Sequence, residues 1–288
     1  MMAIYKRELK SYFQTMIGNV FLAFLIAFVG FYFMVYNLYY GYNYFSYALG
    51  SGLLIMIIAV PILTMKSFAE ERRSKTDQLL LTAPVKLWEI VLGKYLSMIS
   101  ILAIACLIFC ICPIIILTLG SAHLTIDYLT IFLFFLIGSL YIALGMLISS
   151  LTESQIIAAI GTMGILLLLY FWSSLSAYLP TIGFYNLIAI LLLLAVAALV
   201  LFSYLGSGLF SGLFFLVAGI IAVVIYVVNG TAYESLLSNL LAGFDLTSIL
   251  YNSVDSNLFS VPNLVFLLSL IGLFNFLTLQ VLQKRRWS

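Results

Sequence analysis

The chain has 288 residues, 65% hydrophobic and only 8% charged, whereas an ordinary soluble domain carries about a quarter charged residues. With a mean hydropathy of +1.23 it needs lipid as its solvent, and a net charge of +2 does not point to nucleic acid. All twelve Lys and Arg fall in three clusters: Lys6, Arg7, Lys10; Lys66, Arg72, Arg73, Lys75, Lys86, Lys94; and Lys284, Arg285, Arg286. Short loops that collect basic residues face the cytoplasm.

Residues 1–16 place Ile4, Leu9, Tyr12, Phe13 and Met16 near helical spacing, with Lys6, Arg7, Glu8 and Lys10 on the other side. This pattern predicts a helix lying in the membrane interface, its basic residues toward anionic headgroups. A charged tail before the first span is the alternative.

Spanning helices need about 20 mostly apolar residues. They are expected at about 17–40, 49–66, 90–119, 128–151, 156–179, 184–205, 209–229 and 263–283. Eight spans return each basic cluster to one side, with both termini cytoplasmic. The sixth and seventh meet at Gly206-Ser207-Gly208. If they are re-entrant, six spans remain with the same parity. The expected fold is an all-α polytopic bundle forming a single transmembrane domain over residues 1–288, in the cytoplasmic membrane.

The Tyr-rich stretch from Tyr36 to Tyr47 reads as an aromatic belt at the outer face. The segment from Lys66 to Lys94 is the sizeable cytoplasmic loop. Helix formers dominate from Ser67 to Leu81, with Glu71 and Lys75 as an i,i+4 pair, and Ala83-Pro84 breaks the pattern. Trp88 sits at interface depth, and Lys94 is placed to snorkel to the headgroups. Pro61 and Pro113 are expected to kink the second and third spans. Asp127, Glu234, Asp245 and Asp255 fall in expected external loops, the larger one over about 230–262.

Chemistry-bearing motifs are scarce. Gly93-Lys94 ends like a phosphate-binding loop, but Trp88 stands where the first Gly belongs and no Ser or Thr follows Lys94. Cys106 and Cys110 share a helix face, where packing accounts for them better than a soft metal. No metal site is expected, and His123 reads as interfacial. Asn275 and Gln280 lie within the last span, either bonding a neighbouring helix or lining a path. Paired carboxylates, nucleophilic triads and zinc motifs are missing from the spans, which argues against an intramembrane protease or a metal-dependent lipid enzyme. Intramembrane ionisable groups of the kind that couple ions in secondary transporters are also missing. Energy for any transport would therefore enter through the 66–94 loop.

That loop, F68-A-E-E-R-R-S-K-T-D-Q-L-L-L-T-A-P84 followed by W88-E-I-V-L-G-K94, resembles the membrane subunits of type-two ABC exporters. The resemblance is particularly to the group that includes the gliding-motility and copper-site-maturation permeases. G145-M-L-I-S-S-L-T-E-S-Q155 is a second similar stretch, and KRELKSYF looks like the family's interfacial helix. Lys75 departs from a frequent family Gly, and Gln78 from a frequent Glu. The resemblance implies a coupling helix that docks on a separate cassette ATPase, which would supply ATP and Mg; this chain would carry no cofactor. Glu70, Glu71, Arg72, Arg73 and Lys75 would make charge-assisted contacts, and Leu79, Leu80 and Leu81 would fill an apolar groove. Thr76, Asp77, Gln78 and Pro84 complete the segment. Lys6, Arg7, Lys10, Trp88 and Lys94 would anchor it at the interface. A second permease subunit, identical or paralogous, is the other expected partner. The charge-free spans favour an apolar or amphipathic cargo. A scaffold for an ATPase-driven extracytoplasmic assembly, or a stand-alone channel or carrier, are the alternatives.

Overall fold

The computed structural model describes residues 1–76, 85–120, 123–178, 182–205, 208–228, 233–234, 245–255 and 261–287. The regular elements among them are helical. In chain order they are α1 (Met2–Gln14), α2 (Ile17–Phe33) with a π-helical turn (Met34–Tyr39), α3 (Ser46–Thr64) and α4 (Ala69–Arg73). There follow α5 (Leu87–Phe109), α6 (Ile111–Leu119), α7 (Leu124–Leu151), α8 (Gln155–Tyr170) and α9 (Trp172–Ala177). The chain ends with α10 (Gly183–Leu205), α11 (Gly208–Val228), α12 (Leu246–Asp255) and α13 (Val261–Trp287).

A helix lies at each position expected to span. Among the described residues, five stretches are long and apolar enough to cross a membrane: Ile17–Tyr39, Ser46–Arg73, Leu87–Thr118, Leu124–Leu151 and Val261–Arg286. Shorter apolar stretches occupy the remaining expected positions, at Gln155–Tyr170, Gly183–Val196 and Phe215–Val228. In hydrocarbon every backbone polar group must be bonded within the protein, and helices do this locally.

The helices group into two compact units, one comprising Met1–Tyr170 with Leu246–Ser288 and the other Phe171–Asp245. In the first, α3 and α7 are the buried pair, flanked by α2, α5 and α13. Small residues set their separation, as expected where packing rather than hydrophobicity joins helices. A Cβ on Gly138 would meet the Met56 and Leu102 side chains at 2.7 Å, and one on Gly145 would collide with Thr64. In the second unit α10 packs on α11, and the Tyr233 hydroxyl donates to the Ala222 carbonyl at 2.9 Å.

The proline expectations divide. Pro61 lies inside α3, which runs unbroken through it. At Pro113 the expected third span is interrupted: α5 ends at Phe109 and α6 starts at Ile111. A proline ring clashes with the carbonyl four residues earlier, here that of Phe109. The Tyr128 hydroxyl donates to the Cys110 carbonyl at this break, 3.4 Å away.

One acidic residue lies in a helix instead of the expected loop, and a second, in a loop as expected, is buried. Asp127, expected in an external loop, is fully buried in the first turn of α7, where its Oδ1 accepts the Phe45 backbone N–H at 2.8 Å. A helix N-terminus favours a carboxylate, and this one also fastens the start of α3. Asp245 is likewise buried and accepts from the Ser173 hydroxyl. Glu234 is exposed, and the Asp255 side chain lies outside the described residues. The His123 ring, just before α7, stacks on Tyr44 with centroids 4.7 Å apart.

Candidate functional site

Charge gathers in the first unit where α1 and α5 meet the segment after α3. The chain leaves α3 at Lys66, turns through Ser67 and Phe68, and forms the short helix α4. Its first two donors, the Phe68 and Ala69 N–H groups, both reach the Ser149 hydroxyl oxygen at 3.1 Å. Ser149 is near the end of α7 and itself donates to the Met65 carbonyl at 3.3 Å. One hydroxyl thus joins the two sequence stretches that carried the family resemblance.

The helix expected over Ser67–Leu81 stops early in its described part. Residues 70–76 close it with a Schellman turn, in which Thr76 N–H bonds the Glu71 carbonyl (2.9 Å) and Lys75 N–H that of Arg72 (3.0 Å). The Ser74 hydroxyl also returns to the Glu70 carbonyl at 2.9 Å. Such side-chain bonds compete with helix propagation. Lys75 takes the left-handed position, with φ of 57°. The site residues Asp77, Gln78, Leu79, Leu80, Leu81 and Pro84 lie outside the described residues.

Lys94, in the second turn of α5, does not snorkel. It is 2% exposed, and its Nζ lies 2.8 Å from Glu71 Oε1 and 3.4 Å from Glu8 Oε1. It also donates to the Ser67 carbonyl at 2.9 Å and sits 5.2 Å from the Phe68 ring centroid. Glu71 therefore pairs across the fold instead of with Lys75. Arg7 closes the group, 2.6 Å from Glu8 Oε1 and 3.5 Å from Glu71 Oε1. Two cations face two carboxylates, which is what a buried charge requires. Burial pushes the Glu8 carboxyl upward, but Lys94 and the hydrogen-bonded Arg7 outweigh it and hold the pKa below its ordinary value. The Glu8 hydrogen bond in turn raises that of Arg7.

This cluster holds α1 against α5. The Tyr5 and Ser100 hydroxyls are 2.9 Å apart, and Ile4 lies where a Cβ on Gly93 would meet it at 3.0 Å. Tyr12 is buried beneath, while Lys6 and Lys10 are exposed and Trp88 is 43% exposed. Between α1 and α4 opens a polar cleft of about 630 Å³, lined by Arg7, Ser11, Lys66, Glu70, Glu71 and Thr76 among others. Lys66 sits 3.6 Å from Glu70.

The remaining site residues separate clearly. Arg73, Lys75 and Thr76 are exposed, whereas Arg72 turns inward and is 7% exposed. Asn275 is buried, donates to the Ile271 carbonyl at 2.9 Å and lies beside Tyr95, whose hydroxyl bonds the Ser139 carbonyl. It therefore faces neighbouring helices. Gln280 is exposed. Sequence reasoning left Glu8, Ser67 and Ser149 out of the site. Glu8 had a signal, as the lone acid among Lys6, Arg7 and Lys10. The two serines had none, because their roles come from contacts between distant segments.

A multi-pass helical membrane protein with its charge gathered beside α4 has the build of a transporter permease. Residues 36–194 match the model of the ABC-2 family transporter proteins, and the chain belongs to that family. It is accordingly a transmembrane permease component of an ABC transporter. The matched residues include α4, Lys94 and Ser149, while Arg7 and Glu8 precede them. Comparison with curated proteins yields no match.

Proposed function

We propose that this chain is the membrane half of an ATP-driven exporter, with α4 and the residues after it receiving force from a separate cassette ATPase. The supporting observation is the buried Lys94 ammonium, which ties α4 to α1 and α5 at once. A push on the exposed edge of α4, at Arg73 and Lys75, would be passed into α3 and α5 as a tilt rather than lost in a loose loop. ATP and Mg belong to the partner. In this reading both units form one permease domain of eight spans with cytoplasmic termini, in the cytoplasmic membrane. Two such subunits, identical or paralogous, flank a path for an apolar or amphipathic cargo. The similarity of the loop to gliding-motility and copper-site-maturation permeases favours that subgroup.

The test is co-expression with the cassette ATPase encoded nearest to this chain. The complex should co-purify and turn over ATP. The Arg73→Glu/Lys75→Glu variant should insert normally yet bind the ATPase at least about tenfold more weakly, a loss of roughly 1.4 kcal/mol. Undiminished binding and turnover would rule out this surface as the dock. Cargo movement into proteoliposomes separates export from a purely scaffolding role.

A further inference from the structure

Arg72 is a basic residue of the proposed coupling segment, buried with no ion pair among the described residues. It lies with Phe68 and Ala69 on the inward face of α4, which packs against α7 and α8. Its two terminal guanidinium nitrogens are buried without a hydrogen-bond partner among the described residues. An unpaired buried cation costs several kcal/mol. No counter-charge contacts it among the described residues.

The carboxylates on α4 itself have ion pairs elsewhere, Glu70 with Lys66 at 3.6 Å and Glu71 Oε1 with Lys94 and Arg7, although Glu71 Oε2 is itself buried without a hydrogen-bond partner among the described residues. Among the described residues of α7, α8 and the turn between them, the acids are Asp127 and Glu153. Asp127 is spent at the opposite end of α7, holding Phe45. Glu153 sits in the α7–α8 turn, exposed, with no ion pair among the described residues. It follows by four residues the Ser149 hydroxyl that pins the start of α4.

We infer that Glu153 is a positioning residue for coupling, the counter-charge that Arg72 takes up when α4 pivots about its Ser149 anchor. This inference rests on the coupling role proposed above. The ion pair is open in this structure and closed in the other state of the cycle. Its formation would carry the movement of α4 into the α7–α8 turn, a route separate from the Lys94 cluster. The stimulus can shift the balance only by what the new pair gains in one state over the other.

The test uses the full chain co-expressed with its cassette ATPase. Glu153→Gln should lower ATP turnover by about fivefold or more, the scale of a coupling energy near 1 kcal/mol. ATPase co-purification and thermal stability should be unchanged, and Glu153→Asp should restore turnover. Arg72→Glu should lose turnover similarly, and Arg72→Glu/Glu153→Arg should recover most of it. Wild-type turnover in Glu153→Gln, or a double variant no better than Arg72→Glu, would overturn the inference. If the Arg72 variants fail to fold, the Gln and Asp variants at exposed Glu153 decide alone. Failure of the wild-type chain to hold the ATPase would instead overturn the coupling role itself.

Discussion

The Lys94 ammonium lies 2.8 Å from the Glu71 carboxylate across 23 residues of chain, at a position that is 2% exposed. It makes the segment after α3 and the start of α5 one mechanical piece, and Glu8 adds α1 to it. Removing one partner of a buried pair leaves the other charge stranded, at a cost of about 3–5 kcal/mol. Lys94→Met should therefore lower the melting temperature in detergent markedly. Lys94→Met/Glu71→Gln should be milder than the sum of the single changes, as a double-mutant cycle would register.

Lys75 occupies a left-handed conformation, φ 57°, at the residue closing α4. A side chain there costs about 1–2 kcal/mol that glycine avoids. Lys75→Gly should raise thermal stability by up to about 1 kcal/mol once the greater chain entropy of glycine is subtracted. A β-branched Lys75→Val should do the reverse. The frequent family glycine at this position then has a physical reason, since the Schellman turn asks for that backbone conformation.

Glu8 gives the assembly an acid limit. Its folded pKa is lower than its ordinary 4.5, so the native state binds fewer protons than the unfolded chain near that pH. Its contribution is complete above the unfolded value and is lost as pH falls through and below about 4.5. Thermal stability should decline as pH falls below about 4.5, and the decline should be shallower in Glu8→Gln. Equal slopes in the two proteins would remove Glu8 from the account.

On the proposed topology α4 faces the cytoplasm, and Ser74 can report it. Its hydroxyl is on the exposed rim of the turn. Ser74→Cys should react with a membrane-impermeant maleimide in inverted vesicles and stay unlabelled in intact cells. Labelling from outside alone would remove the coupling segment from the cytoplasm.

Several features of this architecture are legible in the local pattern of the chain. Helices stand within a few residues of every apolar run, because a chain in hydrocarbon has few other ways to bond its backbone. The break at Cys110 follows from Pro113 three residues on. The early end of α4 is less visible. Residues 67–81 contain good helix formers, but Ser74 and Thr76 turn their hydroxyls back onto the chain. Lys94 misleads for a comparable reason. A lysine near a helix end in a membrane usually extends to the interface, and only the arrival of Glu71 and Glu8 gives it a better place.

By itself, then, the sequence determined the class of protein, the positions of its helices and the face on which its charge collects. Each of these is set by local hydrophobicity, over lengths of about 20 residues. The tertiary structure alone decided that Lys94 is buried against Glu71 and Glu8, that Ser149 caps α4, that Arg72 points inward while Arg73 points out, and that Asp127 holds Phe45. Those relationships depend on which helices become neighbours. That choice is made by the fit of small residues such as Gly138 and Gly145 against α3, and no single stretch of sequence records it.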